Sequence, residues 1–173
     1  MLTVTGIDLR DTNLIKKYAY FCLSRFVSNT NLKRTIIVIR FVTPDELTNK
    51  QECKELKEIS AWLTYDGLVG ERKKFTITLN KKVINKITKK RITKYKTSLK
   101  DLGHELIHAK QYINNEIFDY TDGQRSRFMG RLHTYTGELD WSYWESPWEI
   151  EAYGRMEGLY QMFLKLLKEE EKA

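Results

Sequence analysis

Cysteine and proline are nearly absent from this 173-residue chain, with two of each, and histidine is scarce at three. Cys22 and Cys53 stand far apart and form no C-x-x-C pair, which excludes a disulfide framework and a cysteine-held metal site. Cys22 falls in an apolar helical run, where a thiol packs as a small hydrophobe. With so little proline and no repeat or low-complexity tract, nothing marks a linker or a domain boundary. No stretch approaches the roughly 18 apolar residues of a membrane span, so no membrane partner is expected. Residues Met1 to Asp8 lack the basic start and apolar core of a secretion signal. Together these absences predict one domain over residues 1–173 in a reducing, cytoplasmic setting.

Apolar side chains suffice for a proper core, at 41% of residues with 12% aromatic, and the net charge is +7. The positive charge is uneven. Lys81, Lys82, Lys86, Lys89, Lys90, Arg91, Lys94, Lys96 and Lys100 crowd one stretch. Such a segment, 81–100, offers phosphates a surface and makes nucleic acid a candidate partner. The plainer reading is a solvated face, with Val83, Ile84, Ile87 and Ile92 as the packed side of an amphipathic helix.

Periodicity sets out the elements. The first dozen residues read as extended, and a helix follows over Thr12–Val27 with Leu14, Ile15, Tyr18, Ala19, Cys22 and Phe26 inward. Thr35–Val42 is β-branched and almost wholly apolar, the pattern of a central strand. Asp45 to Ile59 is polar and only weakly periodic. Trp62 to Gly70 reads as a strand reaching a glycine turn, and Phe75–Asn80 alternates strictly, as a half-buried strand does. That last strand is a candidate sheet edge for a substrate, beside the plainer reading of an ordinary amphipathic strand. Glu116–Tyr120 and Phe128–Tyr135 suggest short strands or an ordered loop. Ser146 can cap, and Pro147 can open, a helix running towards Lys172.

The sharpest signal is His104-Glu105-Leu106-Ile107-His108, an HExxH motif. Leu99, Leu102, Leu106, Ala109 and Ile113 repeat at helical spacing around it, and Ser98-Leu99-Lys100-Asp101 has the spacing of a capping start. On that helix the two imidazoles share a face, nearly opposite the leucine stripe, and can grip one cation. Glu105 is then placed to act as a base towards a water activated by the metal. The competing reading is an exposed helix that happens to carry two histidines. A catalytic zinc takes three protein ligands, so a third is needed. His133, the remaining histidine, and Glu145, Glu149 and Glu151 are the candidates.

The block Glu149-Ile150-Glu151-Ala152 resembles the E-x-x-A segment of gluzincins, in which the glutamate is the third metal ligand. More closely, His104–Tyr112 followed by Pro147–Arg155 resembles small SprT-like zincins carried by tailed phages. The likeness covers about residues 97–156. It implies a zinc metallopeptidase with His104, His108 and Glu149 on the metal, Glu105 as general base and a protein or peptide substrate. SprT-like proteases in general act on proteins held at DNA, and a phage-encoded chain would work in the host cytoplasm. The implied fold is α+β: a single zincin-like domain whose small mixed sheet packs on an N-terminal helix, the HExxH helix and a long C-terminal helix. Two departures stand out. Tyr153 occupies the position where many gluzincins carry an aspartate that orients a ligand histidine, and SprT-like proteases proper use a third histidine, for which only His133 is left. The capping-box spacing Ser146-x-x-Glu149 is the rival role for Glu149, and would move the ligand to Glu151.

Tyr153, Tyr135 and His133 are candidate donors to a developing oxyanion. Asp101 and Asp140 are candidates to orient the ligand histidines. Gln111 and Trp148 are expected in the site's walls, and Trp141, Tyr143, Trp144 and Trp148 form an aromatic cluster with either a packing or a substrate role. The alternative class is a nucleic-acid-associated or host-protein-binding module on the same scaffold with a structural or vestigial metal site. An intact Glu105 argues against it, because a structural site needs no base.

Overall fold

A run of β-branched and aromatic residues builds the centre of the molecule. In the computed structural model, which describes residues 1–84, 90–121, 123–134 and 144–172, Thr35–Val42 forms strand β2. It lies between β1 (Leu2–Thr5) and β4 (Arg72–Asn80), parallel to both. Strand β3 (Ala61–Val69) runs antiparallel to β4, giving the order β1-β2-β4-β3. Ile37, Ile39, Phe41, Phe75, Ile77 and Leu79 are buried from the two inner strands. The edge facing away from β2 therefore belongs to β3, and Phe75–Asn80 is not a sheet edge. Alternation reports one buried face of a strand and says nothing of its neighbours, which is why β4 reads equally well as edge or interior.

Helices α1 (Leu9–Leu23), α5 (Lys96–Ile113) and α6 (Pro147–Glu170) supply most of the remaining core, while α2 (Asn29–Lys33), α3 (Lys50–Glu58) and α4 (Arg91–Lys94) are short. Helix α1 begins three residues before the expected Thr12, because Asp8 caps it by accepting from the Asp11 amide at 2.8 Å. Helix α3 escapes sequence periodicity because, among its described side chains, Leu56 is the one fully buried anchor. Tyr18 and Phe21 of α1 meet Phe163 of α6 with ring centroids 5.0 and 5.3 Å apart. Each such fully buried aromatic contributes about 1.5–3 kcal/mol through area removed from water. A second, three-stranded antiparallel sheet, β5 (Ile117–Asp119), β6 (Arg125–Phe128) and β7 (Arg131–Thr134), follows α5. The architecture is α+β, and among the described residues no helix is long and apolar enough to cross a membrane.

The 81–100 segment is not one amphipathic helix. A 3-10 turn at Lys81–Val83, then α4 and α5, divide its described residues; Lys86, Ile87 and Lys89 lie outside them. Nor does α5 start at Ser98, which is buried inside it; the N-cap is Tyr95. Tyr95 is fixed there because its hydroxyl donates to the Asp11 carboxylate at 2.7 Å, beside Lys94 at 2.8 Å. Its ring also meets Phe41 edge-on at 6.1 Å.

Two expectations follow for stability. Burial raises the Asp11 pKa, but hydrogen bonds from Lys94 and Tyr95 outweigh it and hold the carboxyl below the ordinary aspartate value. A depressed folded-state pKa contributes stability above the unfolded-state value and loses it as pH falls through the folded one. Asp11→Asn should therefore cost roughly 2–3 kcal/mol at neutral pH, a difference that shrinks in acid, as urea midpoints across pH will show. At Gly103 an added Cβ would lie 2.6 Å from the Tyr18 hydroxyl oxygen, and Tyr18 is fully buried. Gly103→Ala should cost about 1–3 kcal/mol in thermal unfolding despite its better helix propensity, and Tyr18→Phe should recover part of that loss.

Candidate metal centre

One turn of α5 carries His104 and His108, whose ring nitrogens Nε2 approach to 3.0 Å. From α6, Glu149 brings one carboxylate oxygen to 3.3 Å from His104 Nε2 and the other to 3.3 Å from His108 Nε2. Bonds of about 2.0–2.1 Å at tetrahedral angles place ligand atoms roughly 3.3 Å apart, so the spacing fits a common cation. Glu149 Oε2 is buried with no hydrogen-bond partner, a state that costs free energy in a closed fold and is relieved by a cation. His104, His108 and Glu149 thus form a largely buried group that could hold a metal ion.

The fields in the site agree with this. Burial pushes the Glu149 pKa up, yet the imidazoles of His104 and His108, each 3.3 Å away, overturn it and hold the carboxyl at about 2. Burial works against a charged His108, while Glu149 and Glu105 outweigh it and raise its pKa. Glu105 is 7% exposed, and burial raises its pKa despite the two histidines, with Glu149 and Asp101 adding to the rise. It lines the cleft beside the three ligand candidates.

The other candidates are placed elsewhere. Glu151 is occupied by Lys110 at 2.8 Å, Gln111 at 3.0 Å and Arg155 at 2.9 Å. His133 sits on β7 with its ring edge-on to Trp148 at 5.4 Å, outside the metal group, because the small sheet sets it against the indole. Glu145 is exposed. The capping-box role for Glu149 is not adopted: Ser146 occupies the N-cap without a side-chain cap bond, and the Glu149 carboxylate turns to the histidines. Tyr153 packs its ring 4.4 Å from that of His104 and 5.4 Å from Trp144. Trp148 is buried in the site's wall. Tyr135, Asp140, Trp141 and Tyr143 lie outside the described residues.

Two features escape sequence reasoning. Gln111, expected only as wall, is the partner of His108: its Oε1 lies 2.9 Å from Nδ1. Asp101 instead takes a hydrogen bond from Ser60 and leaves its Oδ2 buried without a partner. A glutamine three residues after the second histidine is on the correct helix face to be suspected. The second feature is the cleft itself, about 700 Å³, bordered by Ser60, Ala61, Trp62 and Leu63 as well as by the metal group. Ser60 pairs with Asn80, whose amide donates to the Ser60 carbonyl at 2.8 Å. In an antiparallel ladder hydrogen-bonded pairs alternate, so Ala61 and Leu63 turn their backbone groups away from β4, to the open edge. Sequence pattern could not reveal that β3 is the edge.

Four described lysines of the basic segment pair with carboxylates, Lys81 with Glu46, Lys82 with Asp45, Lys94 with Asp11 and Lys100 with Glu157, while Lys90 and Lys96 are exposed. Compared with protein families, characterised proteins and solved structures, the chain gives no match. What the site can do is therefore argued from its own residues.

Metal content tests the assignment. About one divalent ion per chain is expected in the wild type and in His133→Ala, with its loss in His108→Ala and Glu149→Ala. Retention in Glu149→Ala would remove that residue from the ligand set.

Proposed function

We propose that the chain is a zinc-dependent peptidase of the HExxH type. The observation that carries this is the convergence of two ring nitrogens and a buried carboxylate within 3.3 Å, in a cleft bordered by the outer strand of the described sheet. Two imidazoles and one carboxylate in a compact, open site suit zinc among the available divalent ions. Zinc, when bound, supplies Lewis acidity that brings a water towards neutral pKa and polarises a carbonyl.

The chain's own groups do the rest. A carboxylate that is buried and carries a raised pKa binds a proton more readily than an exposed one, which suits Glu105 to take the proton of the attacking water and return it to the departing amine. Ala61 and Leu63 offer main-chain hydrogen bonds to an extended substrate, so a peptide can add to β3 as a further strand and lie across the ligands. Recognition through main chain favours unfolded or extended polypeptide over a folded surface. Trp148, Tyr153 and Trp62 line the same cleft and supply apolar walls that exclude water. The likeness to SprT-like zincins, carried by His104–Tyr112 and Pro147–Arg155, supports the same reading.

The deciding experiment is cleavage of an unstructured protein such as casein by zinc-loaded wild type and Glu105→Gln. The substitution should leave metal content intact and lower the rate by about 10²–10⁴-fold. Equal rates in the two proteins, or no cleavage by the zinc-loaded wild type, would overturn the peptidase assignment.

A further inference from the structure

His108 is tied into the protein by a chain of hydrogen bonds whose directions are fixed. Gln111 is fully buried one turn after His108. Its Nε2 lies 3.0 Å from the Trp148 carbonyl oxygen and 3.0 Å from Glu151 Oε2. A main-chain carbonyl can only accept. The Glu151 carboxylate is likewise an acceptor, because Lys110 and Arg155 donate to its other oxygen at 2.8 and 2.9 Å. Both amide hydrogens of Gln111 are therefore committed. The flipped amide would set its oxygen against two acceptors, which decides the orientation.

Oε1 is what remains for His108, at 2.9 Å from Nδ1. An amide oxygen also only accepts, and it is the nearer acceptor and the one in hydrogen-bond geometry, since Glu149 Oε1 stands 3.3 Å from Nε2; the proton of the neutral ring therefore resides on Nδ1. That leaves a lone pair on Nε2, the nitrogen that faces His104 and Glu149 at 3.0 and 3.3 Å. His104 has no such device. Its Nδ1 is buried without a partner, and its ring is held by packing on Tyr153. Lys110, buried and shared between Glu151 and Glu116, anchors the far end of the chain of bonds.

We infer that Gln111, oriented by Glu151 and the Trp148 carbonyl, is the positioning residue that fixes His108 in the Nδ1–H tautomer and keeps Nε2 open to the metal. This rests on the metal-centre reading above and assigns Glu151 a supporting part in place of ligation. The arrangement joins α5 to α6 at the same point where Glu149 arrives. Loss of the acceptor lets the ring turn or place its proton on Nε2, and the ligand then has to be freed before it can bind.

The test uses the full-length chain. In metal-free wild type in alkaline buffer, ¹⁵N spectra of the three histidines, assigned with His108→Ala, should show His108 as the Nδ1–H form. Gln111→Leu should shift it towards Nε2–H and weaken zinc binding by about 10–100-fold in competition with a chelator. Glu151→Gln, a milder change that leaves volume and packing in place, should move both readouts the same way by less. Should Gln111→Leu not fold, the wild-type spectrum and Glu151→Gln decide. An Nε2–H form in the wild type, or variants with unchanged tautomer and zinc affinity, would overturn the proposal. A wild type that takes up no zinc also overturns it. In that case an Nδ1–H spectrum locates the failure in the metal assignment, whereas an Nε2–H spectrum locates it in the role of Gln111.

Discussion

The seam between α5 and α6 is the constraint on which the functional architecture depends. A single helix can aim two histidines at one point because positions four apart share a face. It cannot supply the third donor from the same turn without crowding. That donor has to arrive on another element, held to within a few tenths of an ångström. Here the seam itself does the holding: Gln111 bonds across it to the Trp148 carbonyl and to Glu151, and Lys110 bonds across it to Glu151. Glu149 sits between the anchored positions 148 and 151, so its carboxylate has little choice of place.

Behind the seam, α1 and the sheet fix where α5 can lie. Tyr95 at the start of α5 is bound to Asp11 of α1, and Gly103 admits the Tyr18 hydroxyl where any side chain would intrude. At the other end Lys73 of β4 reaches the last carbonyls of α5, donating to Tyr112 at 2.6 Å. This satisfies acceptors that a helix terminus leaves open. The motif helix is thus pinned at both ends and at its middle. Pinning of that kind keeps the two imidazoles in register with the outer edge of β3, so that on the proposed reading a peptide on that edge would meet the site at a set height.

Polar groups left over from this packing gather at the site. Glu149 Oε2, His104 Nδ1 and Asp101 Oδ2 are all buried without a hydrogen-bond partner. In an ordinary core such atoms would be penalised and paired. Tyr18 Oη and Ser98 Oγ are the other such atoms among the described residues, and at the histidines a bound cation would relieve Glu149 Oε2. In the basic segment, by contrast, Lys81, Lys82, Lys94 and Lys100 each pair with a nearby carboxylate, and Lys90 and Lys96 stay exposed.

The sequence by itself determined the local terms. Helical spacing around His104 and His108, the Ser146-Pro147 start of α6 and the apolar run of β2 all follow from periodicity and capping, which act over a few residues, while the α+β class came with the resemblance of the two motif blocks. Glu149 stood out through its block, although spacing alone left it open to a capping role and left Glu151 and His133 in contention. Tertiary structure decided among them. Lys110, Gln111 and Arg155 draw Glu151 away, Trp148 holds His133 apart, and β3 takes the sheet edge from β4. The draw on Glu151 depends chiefly on α5 meeting α6, with Lys110 and Gln111 reaching it across 41 and 40 residues of chain. No pattern local in sequence encodes that meeting, because a side chain's partner is set by packing and charge in three dimensions.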